Sequence, residues 1–369
     1  MWTKLVPATA LLAAVTLSGT AYAAPATPVG GDMLGSRGLV RPSGVKAPPK
    51  SKATSYVIAD ADTGQVLAAK DPHGRYLPAS TLKTLTALTL IPKLDRDRTI
   101  KPSANAVNQE GSAVGLAAKP IYKVQDLFRA LMMSSGNDAA MALAEANGGL
   151  AKTMRDMNAE AKRLQAKDTV AKTPSGLDKP GQSSSAYDLA LIARAGLNNP
   201  DFRRYISTKT AKFPAPKSYY EISNHNKLLW RYKGMIGVKN GWTSKAYGSF
   251  VGAANRDGHT IIVTIMRHEG YFWEEVEKLL DWGFAARGKV TPVGTLVDPL
   301  PAQQPVSQAA ATPVQPSQAA AAPLLDAAAS KQTDTSRMVG AVVIGGGLLF
   351  GLVWLGFGIR RRRARSGLR

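Results

Sequence analysis

Cysteine is absent from this chain of 369 residues. That excludes disulfide bridges, cysteine-ligated zinc and a thiol nucleophile. An exported domain large enough to bury its own core can do without disulfides. Histidine is also scarce. The four present (His73, His225, His259 and His268) form no HExxH or other close ligand pair, so no metal site and no cofactor are expected. Acidic residues number 26 against 47 basic ones, a formal net charge of +21. Such an excess can mark a nucleic-acid binder. The two ends of the chain argue instead for export and an anionic cell envelope as neighbour, with plain solubility as the alternative, and no nucleic-acid partner is expected.

Lys4 precedes an apolar run over 5–17, and Ala21-Tyr22-Ala23 follows it. This pattern reads as a signal peptide over 1–23, the run being short for an N-terminal membrane anchor. Near the other end, 338–359 are 22 uncharged residues, about 33 Å as a helix and enough to cross a bilayer. Arg360, Arg361, Arg362, Arg363, Arg365 and Arg369 come next. That cluster predicts a basic cytoplasmic tail over 360–369, with everything before the span outside the cell. The expected localisation is therefore the cell membrane, single-pass, with an extracytoplasmic catalytic domain. Gly347 and Gly351 form a GxxxG, a weak dimerisation signal in a segment so rich in glycine.

Between these ends, 24–52 are rich in Pro, Gly and Ala and read as a flexible lead-in. Residues 301–337 are Ala, Gln, Pro and Ser with few bulky apolar residues, a linker. The remaining 53–300 suit one mixed domain. Strands are expected at 55–59 and 65–69 around Asp60-Ala61-Asp62-Thr63-Gly64, and at 235–238, 249–254 and 260–266. Helices are expected at 80–91, 124–133, 138–146, 186–195 and 271–286. Strands at both ends with helices between them predict an α+β fold: an antiparallel sheet covered by helices, with an inserted helical region. No tandem repeat is visible.

Three short motifs fall in order: Ser80-Thr81-Leu82-Lys83, Ser135-Gly136-Asn137 and Lys239-Asn240-Gly241. An S-x-x-K alone means little, since Ser43 and Lys46 match it in the Pro/Gly-rich stretch. Ser80 and Lys83 differ because they open a buried helix, three residues apart and on one face. A serine hydroxyl needs a base, and lysine serves only when neutral. Burial and neighbouring positive charge, from a helix N-terminus and Lys239, would lower its pKa. The plain alternative is a helix cap with a solvated lysine. Ser135 and Asn137 lie in a short helix–helix loop, where a hydroxyl can pass a proton and an amide can hold Lys83 and substrate; an ordinary N-cap before Asp138 is the alternative, and Ser103-Ala104-Asn105 is a decoy. Lys239 ends an expected strand, where it can attract a substrate carboxylate, and Gly241 lets a bound peptide approach the backbone. Here the alternative is a plain Asn-Gly hairpin turn.

These residues, with Thr173-Pro174-Ser175-Gly176-Leu177-Asp178 and Leu279-Leu280-Asp281-Trp282-Gly283-Phe284, resemble the D-alanyl-D-alanine carboxypeptidases, the low-molecular-weight penicillin-binding proteins of bacterial cell walls. The likeness runs from about residue 59 to 288. It implies a β-lactamase/transpeptidase-like sandwich and a penicillin-sensitive serine peptidase that removes the terminal D-alanine of peptidoglycan stem pentapeptides. By that resemblance Ser80 is the nucleophile, Lys83 the general base and Ser135 the proton shuttle, with Asn137 orienting. The backbone N–H groups of Ser80 and Trp242 would form the oxyanion hole. Lys239, Asn240 and Thr243 would hold the terminal carboxylate. The partners implied are stem peptides, β-lactams and, through the C-terminal helix, the cell membrane. The family usually has threonine where this chain has Asn240, which keeps a non-catalytic or weakly catalytic wall-binding protein as the alternative. D,D-endopeptidase action uses the same residues. A β-lactamase is disfavoured, since no E-x-x-L-N segment lies between Ser135 and Lys239.

Overall fold

The computed structural model describes residues 27–301, which fall within one compact unit. The expected signal peptide (1–23), nearly all of the linker (301–337), the span at 338–359 and the tail at 360–369 lie outside the described residues. Among the described residues no helix is long and apolar enough to cross a membrane.

The strands are β1 Leu39–Val40, β2 Ser55–Asp60, β3 Gln65–Lys70, β4 Thr99–Ile100, β5 Tyr122–Lys123, β6 Thr210–Ala215, β7 Ser218–Ser223, β8 Met235–Thr243, β9 Tyr247–Arg256, β10 His259–His268 and β11 Gly294–Thr295. The helices are α1 Lys83–Leu90, α2 Ala104–Val107, α3 Val124–Met133, α4 Asn137–Ala146, α5 Leu150–Arg163, α6 Ala186–Leu197, α7 Pro200–Ser207, α8 Leu228–Arg231 and α9 Trp273–Ala286.

One antiparallel sheet runs β1-β3-β2-β10-β9-β8, with β11 also on β3. Its side chains alternate between two cores, as a period of two requires. Val57, Ala59 and Ile262 face a large core shared with α1, α3, α4 and α6, whereas Tyr56, Ile58, Ile261 and Val263 face a smaller one closed by α9. Helices thus cover both faces, and α1–α7 form an insertion between β3 and β6. α9 contributes Val276, Leu279 and Leu280, all fully buried. Burial of each such side chain is worth roughly 1.5–3 kcal/mol.

The stretch expected to be a flexible lead-in departs from that expectation where it is described. Leu34 is fully buried, and β1 pairs Leu39 with Lys70 and Val40 with Ala69. The cause is the open edge of β3, whose backbone groups need partners. β1 and β11 share that edge, β11 pairing Gly294 with Val66. Four helices, α2, α5, α7 and α8, have no counterpart in the sequence reading. α5 buries only the stripe Thr153, Met157 and Ala161 beneath a largely polar surface. α7 does carry a start signal, since the Asn199 side chain accepts from the N–H groups of Asp201 and Phe202 with Pro200 in the first turn.

Candidate active site

The Ser80-Thr81-Leu82-Lys83 motif begins as a tight turn, not as a regular helix. Ala79–Leu82 are 3-10, and α1 starts at Lys83. Two hydroxyls hold this turn: Thr81 Oγ1 and Ser249 Oγ donate to the Pro78 carbonyl at 2.6 and 2.7 Å. Ser249 lies on β9, so the turn is tied to the sheet. Ser80 is half-buried, whereas the residues of α1 are all buried. The hydroxyl of Ser80 is thereby offered at the surface of an otherwise closed element.

Lys83 is fully buried, and its Nζ has three neighbours: Asn137 Oδ1 at 2.7 Å, the Ser175 carbonyl at 2.7 Å and Ser80 Oγ at 3.0 Å. Two of these atoms only accept; the third is a hydroxyl. A neutral amine fits that set, giving its two N–H groups to the carbonyl oxygens and its lone pair to the Ser80 hydroxyl. Burial holds the Lys83 pKa well below the ordinary amine value, the charge of Lys239 lowers it further, and Asp138 opposes both.

Lys239 is also buried, and its ammonium donates to the Asn240 carbonyl at 2.8 Å. Burial lowers its pKa to about 7. The motif Lys239-Asn240-Gly241 lies inside the nine-residue β8 and makes no hairpin turn. Gly241 also serves the fold itself. A Cβ there would lie 2.6 Å from the Ser80 nitrogen and 3.0 Å from that of Thr81. The glycine lets β8 lie directly against the turn that carries Ser80.

Ser135 and Asn137 stand where α3 meets α4. Ser135 has φ +61 and is 5 % exposed, a conformation unusual for a residue with a side chain. Asn137 is fixed on all sides: its N–H donates to the Ser112 carbonyl at 2.7 Å, its Nδ2 to the Glu110 carbonyl at 2.6 Å, and its Oδ1 accepts from Lys83. Asn240 is half-buried, and the Trp242 side chain is 67 % exposed. The Thr243 hydroxyl donates to Asp178 at 3.0 Å and accepts from the Ala246 N–H. It must turn away from Asp178 to meet a carboxylate.

Sequence reasoning missed two contributors. The Ser175 carbonyl touches Lys83, but a carbonyl carries no side-chain signature. The available signal was Gly176, at φ +82, where a Cβ would collide with the Ala79 carbonyl. Asp138 was read only as the residue after a cap. Its buried carboxylate accepts from the N–H groups of Val114, Gly115, Leu116 and Ala139.

His73, Asp168 and Asp188 form a second buried ionisable cluster. His73 Nδ1 is 2.8 Å from Asp168 Oδ2 and Nε2 is 3.0 Å from the Val29 carbonyl. Both ring nitrogens face acceptors, which suits an imidazolium and leaves neither free for a metal.

A family model described as D-alanyl-D-alanine carboxypeptidase (Peptidase S11) matches residues 43–270. A D-alanyl-D-alanine carboxypeptidase of Mycobacterium tuberculosis is 40% identical over 264 residues, covering 70% of this chain and 90% of the relative. One from Escherichia coli is 34% identical over 252 residues, or 64% of each chain. The crystal structure of a D-alanyl-D-alanine carboxypeptidase from Mycobacterium tuberculosis matches with TM-score 0.67 and 38% identity, covering 69% of this chain and 99% of that one. A Streptomyces DD-transpeptidase matches with TM-score 0.61 and 26% identity over 65% of this chain and all of that one. The chain is therefore a serine peptidase with the penicillin-binding fold, and it belongs to the D-alanyl-D-alanine carboxypeptidase family.

Proposed function

We propose that this D-Ala-D-Ala carboxypeptidase works through an acyl-enzyme on Ser80, with Lys83 as general base. The observation that carries this reading is the neighbour set of Lys83 Nζ: two carbonyl acceptors and the Ser80 hydroxyl. A buried amine so placed takes the hydroxyl proton as Ser80 Oγ attacks the carbonyl between the two terminal D-alanines. Backbone N–H groups of Ser80 and Trp242 receive the charge on the carbonyl oxygen. Ser135 carries the proton on to the leaving amine. D-Alanine departs, and water, activated by the same lysine, then hydrolyses the ester. Penicillin acylates the same serine and leaves slowly.

Lys239 supplies the charge for the terminal carboxylate, with Asn240 and Thr243 as further donors. With a pKa of about 7 it carries its proton only part of the time near neutrality. An arriving carboxylate raises that fraction, because an opposite charge favours the ammonium. Binding of the anionic terminus and protonation of Lys239 are thus coupled. The same arrival restores positive charge beside Lys83 and lowers its pKa further, readying the base as substrate binds.

The sequence pattern at the two ends supports a location at the outer face of the cell membrane: a cleaved leader over 1–23, an anchoring helix over 338–359 and a cytoplasmic tail over 360–369. The linker would hold the head among wall peptides. The experiment for the activity is D-alanine release by the purified full chain from a stem pentapeptide, beside covalent labelling by fluorescent penicillin. Both should vanish in Ser80→Ala. Release or labelling that survives this change overturns the assignment of the nucleophile.

A further inference from the structure

We propose that Asp138 is a positioning residue for acylation: its carboxylate draws the loop over 110–116 onto the start of α4 and, through that loop, fixes the Asn137 amide against Lys83. The inference rests on the reading of Lys83 as base.

The connections form a closed circuit. Asp138 Oδ2 accepts from Gly115 N at 2.9 Å and from Val114 and Leu116 N at 3.1 Å each, while Oδ1 accepts from Ala139 N at 2.8 Å. A carboxylate collecting several backbone N–H groups makes strong, charge-assisted bonds. It also curls the loop around itself, with Gly115 at φ +78. The loop repays this contact through its carbonyls. Those of Ser112 and Glu110 take the backbone and side-chain N–H groups of Asn137, the neighbour of Asp138. With Nδ2 committed to Glu110, the Asn137 Oδ1 must point at Lys83. Were the amide to rotate, an NH2 group would face the amine and two donors would meet.

The loop is held from outside as well, where the Tyr220 hydroxyl donates to the Val114 carbonyl from β7. Asp138 is therefore enclosed and fully buried. It has a second, electrostatic effect. The charged groups acting on Lys83 are Lys239 from β8, which favours the neutral amine, and Asp138 from α4, which favours the ammonium. The geometry of the base and its proton affinity thus depend on one carboxylate in opposite senses.

Two substitutions separate these effects. Asp138→Asn keeps the shape, turns an NH2 toward the loop's N–H groups and removes the charge. Asp138→Glu keeps the charge but displaces the oxygens by one methylene. Rates of penicillin acylation are measured against pH on the full chain, with circular dichroism to confirm folding. Acylation requires neutral Lys83, so the rate rises with pH through an acid limb. Both variants should lower the plateau about tenfold or more, the scale on which misplaced catalytic groups act. Only Asp138→Asn should move the acid limb to lower pH, by roughly half a unit, since only it removes the nearby negative charge. An unchanged plateau in both folded variants overturns the proposal. So does a limb that stays put in Asp138→Asn, or failure of both variants to fold, which would make the carboxylate structural. Absence of acylation in the unmodified chain would instead sink the reading of Ser80 and Lys83 themselves.

Discussion

The domain buries ionisable groups in two places and treats them in opposite ways. At the active site Lys83 and Lys239 share one buried region and have no ion-pair partner among the described residues, and both pKa values are driven down by burial. Beneath the N-terminal segment His73 and Asp168 are paired by opposite charge, and the Asp188 carboxyl beside them is pushed up to about 7 by burial and by the charge of Asp168. Burial alone would discharge His73, but the hydrogen bond and charge of Asp168 outweigh it and raise its pKa. Asp168 is likewise pulled down against burial by His73 and Arg75. The contrast separates two uses of a buried charge. A paired charge keeps its ionised form in the fold, as His73 and Asp168 do, whereas an unpaired amine gives up its proton and becomes reactive.

The sharpest way to break this comparison is to remove one member from each place. Lys83→Met should lower penicillin acylation at least a thousandfold, within the range attributed to a general base. It should leave the melting temperature unchanged or higher, since an amine that folding forces to give up its proton gives way to an apolar group of similar volume. A melting temperature well below that of the unmodified chain would contradict the idea that the lysine sits there at a cost. Asp168→Asn should do the reverse. It removes the negative charge and leaves one amide oxygen to serve either the His73 imidazolium or the Arg75 guanidinium, which the carboxylate meets at 2.8 and 3.0 Å. The expected loss is about 2–3 kcal/mol, the scale of a hydrogen bond to a charged group. Acylation of the folded fraction should be unaltered, so denaturant unfolding with fluorescent penicillin labelling checks both halves.

These two places were not equally legible in the sequence. The lysine site announced itself because its chemistry is carried by side chains at short, fixed spacing: Ser80 with Lys83, and Ser135 with Asn137. The expected helix at 124–133 matches α3, and the other expected helices and strands overlap observed ones, whereas α2, α5, α7, α8 and the strands β1, β4, β5, β6, β7 and β11 were not foreseen. The His73 cluster left no such trace. Its members are 95 and 20 residues apart along the chain, and only tertiary packing assembles them. The Pro/Gly-rich composition of 24–52 suggested an untethered segment. Its placement comes from long-range partners, the β3 edge and the His73 ring, which local composition does not encode. The backbone groups of Ser175 and of the loop over 110–116 were hidden for a related reason, because a main-chain donor or acceptor belongs to every residue alike.

Asn240 tests the reactive side of the comparison more finely. It is half-buried on β8 between Lys239 and Gly241, where the family usually has threonine. Its planar amide can donate to a carboxylate but is longer than a threonine hydroxyl, and Thr243 is already engaged with Asp178. Asn240→Thr should raise kcat/KM for a pentapeptide severalfold, equivalent to about 1 kcal/mol for one better-placed hydrogen bond. Equal values for the two proteins would show that Lys239 alone sets carboxylate affinity.

The smallest expected effect is the dependence of stability on pH, where the two clusters pull in opposite directions. For His73 the folded pKa lies above the ordinary 6.5, and for Asp188 burial and the Asp168 charge raise it from 3.8 to about 7. The folded state therefore holds more protons than the unfolded chain, and stability falls as pH rises from about 4 to beyond 7. Asp168, with its pKa depressed below 3.8, does the contrary at the acid end, where protonation removes its stabilising pair. Lys239 acts in the upper window. Its folded pKa of about 7 lies below 10.5, so the unfolded chain holds the extra proton and stability climbs between those values. Thermal melts of the unmodified chain should accordingly show a maximum in mildly acidic solution and a shallow minimum above neutrality, with changes of a few degrees. His73→Gln should reduce the descent from the maximum, and Lys239→Met should reduce the recovery at alkaline pH, to which Lys83 also contributes. A single curve shared by all three proteins would mean that neither cluster changes its protonation on folding, and the contrast between them would then rest on geometry alone.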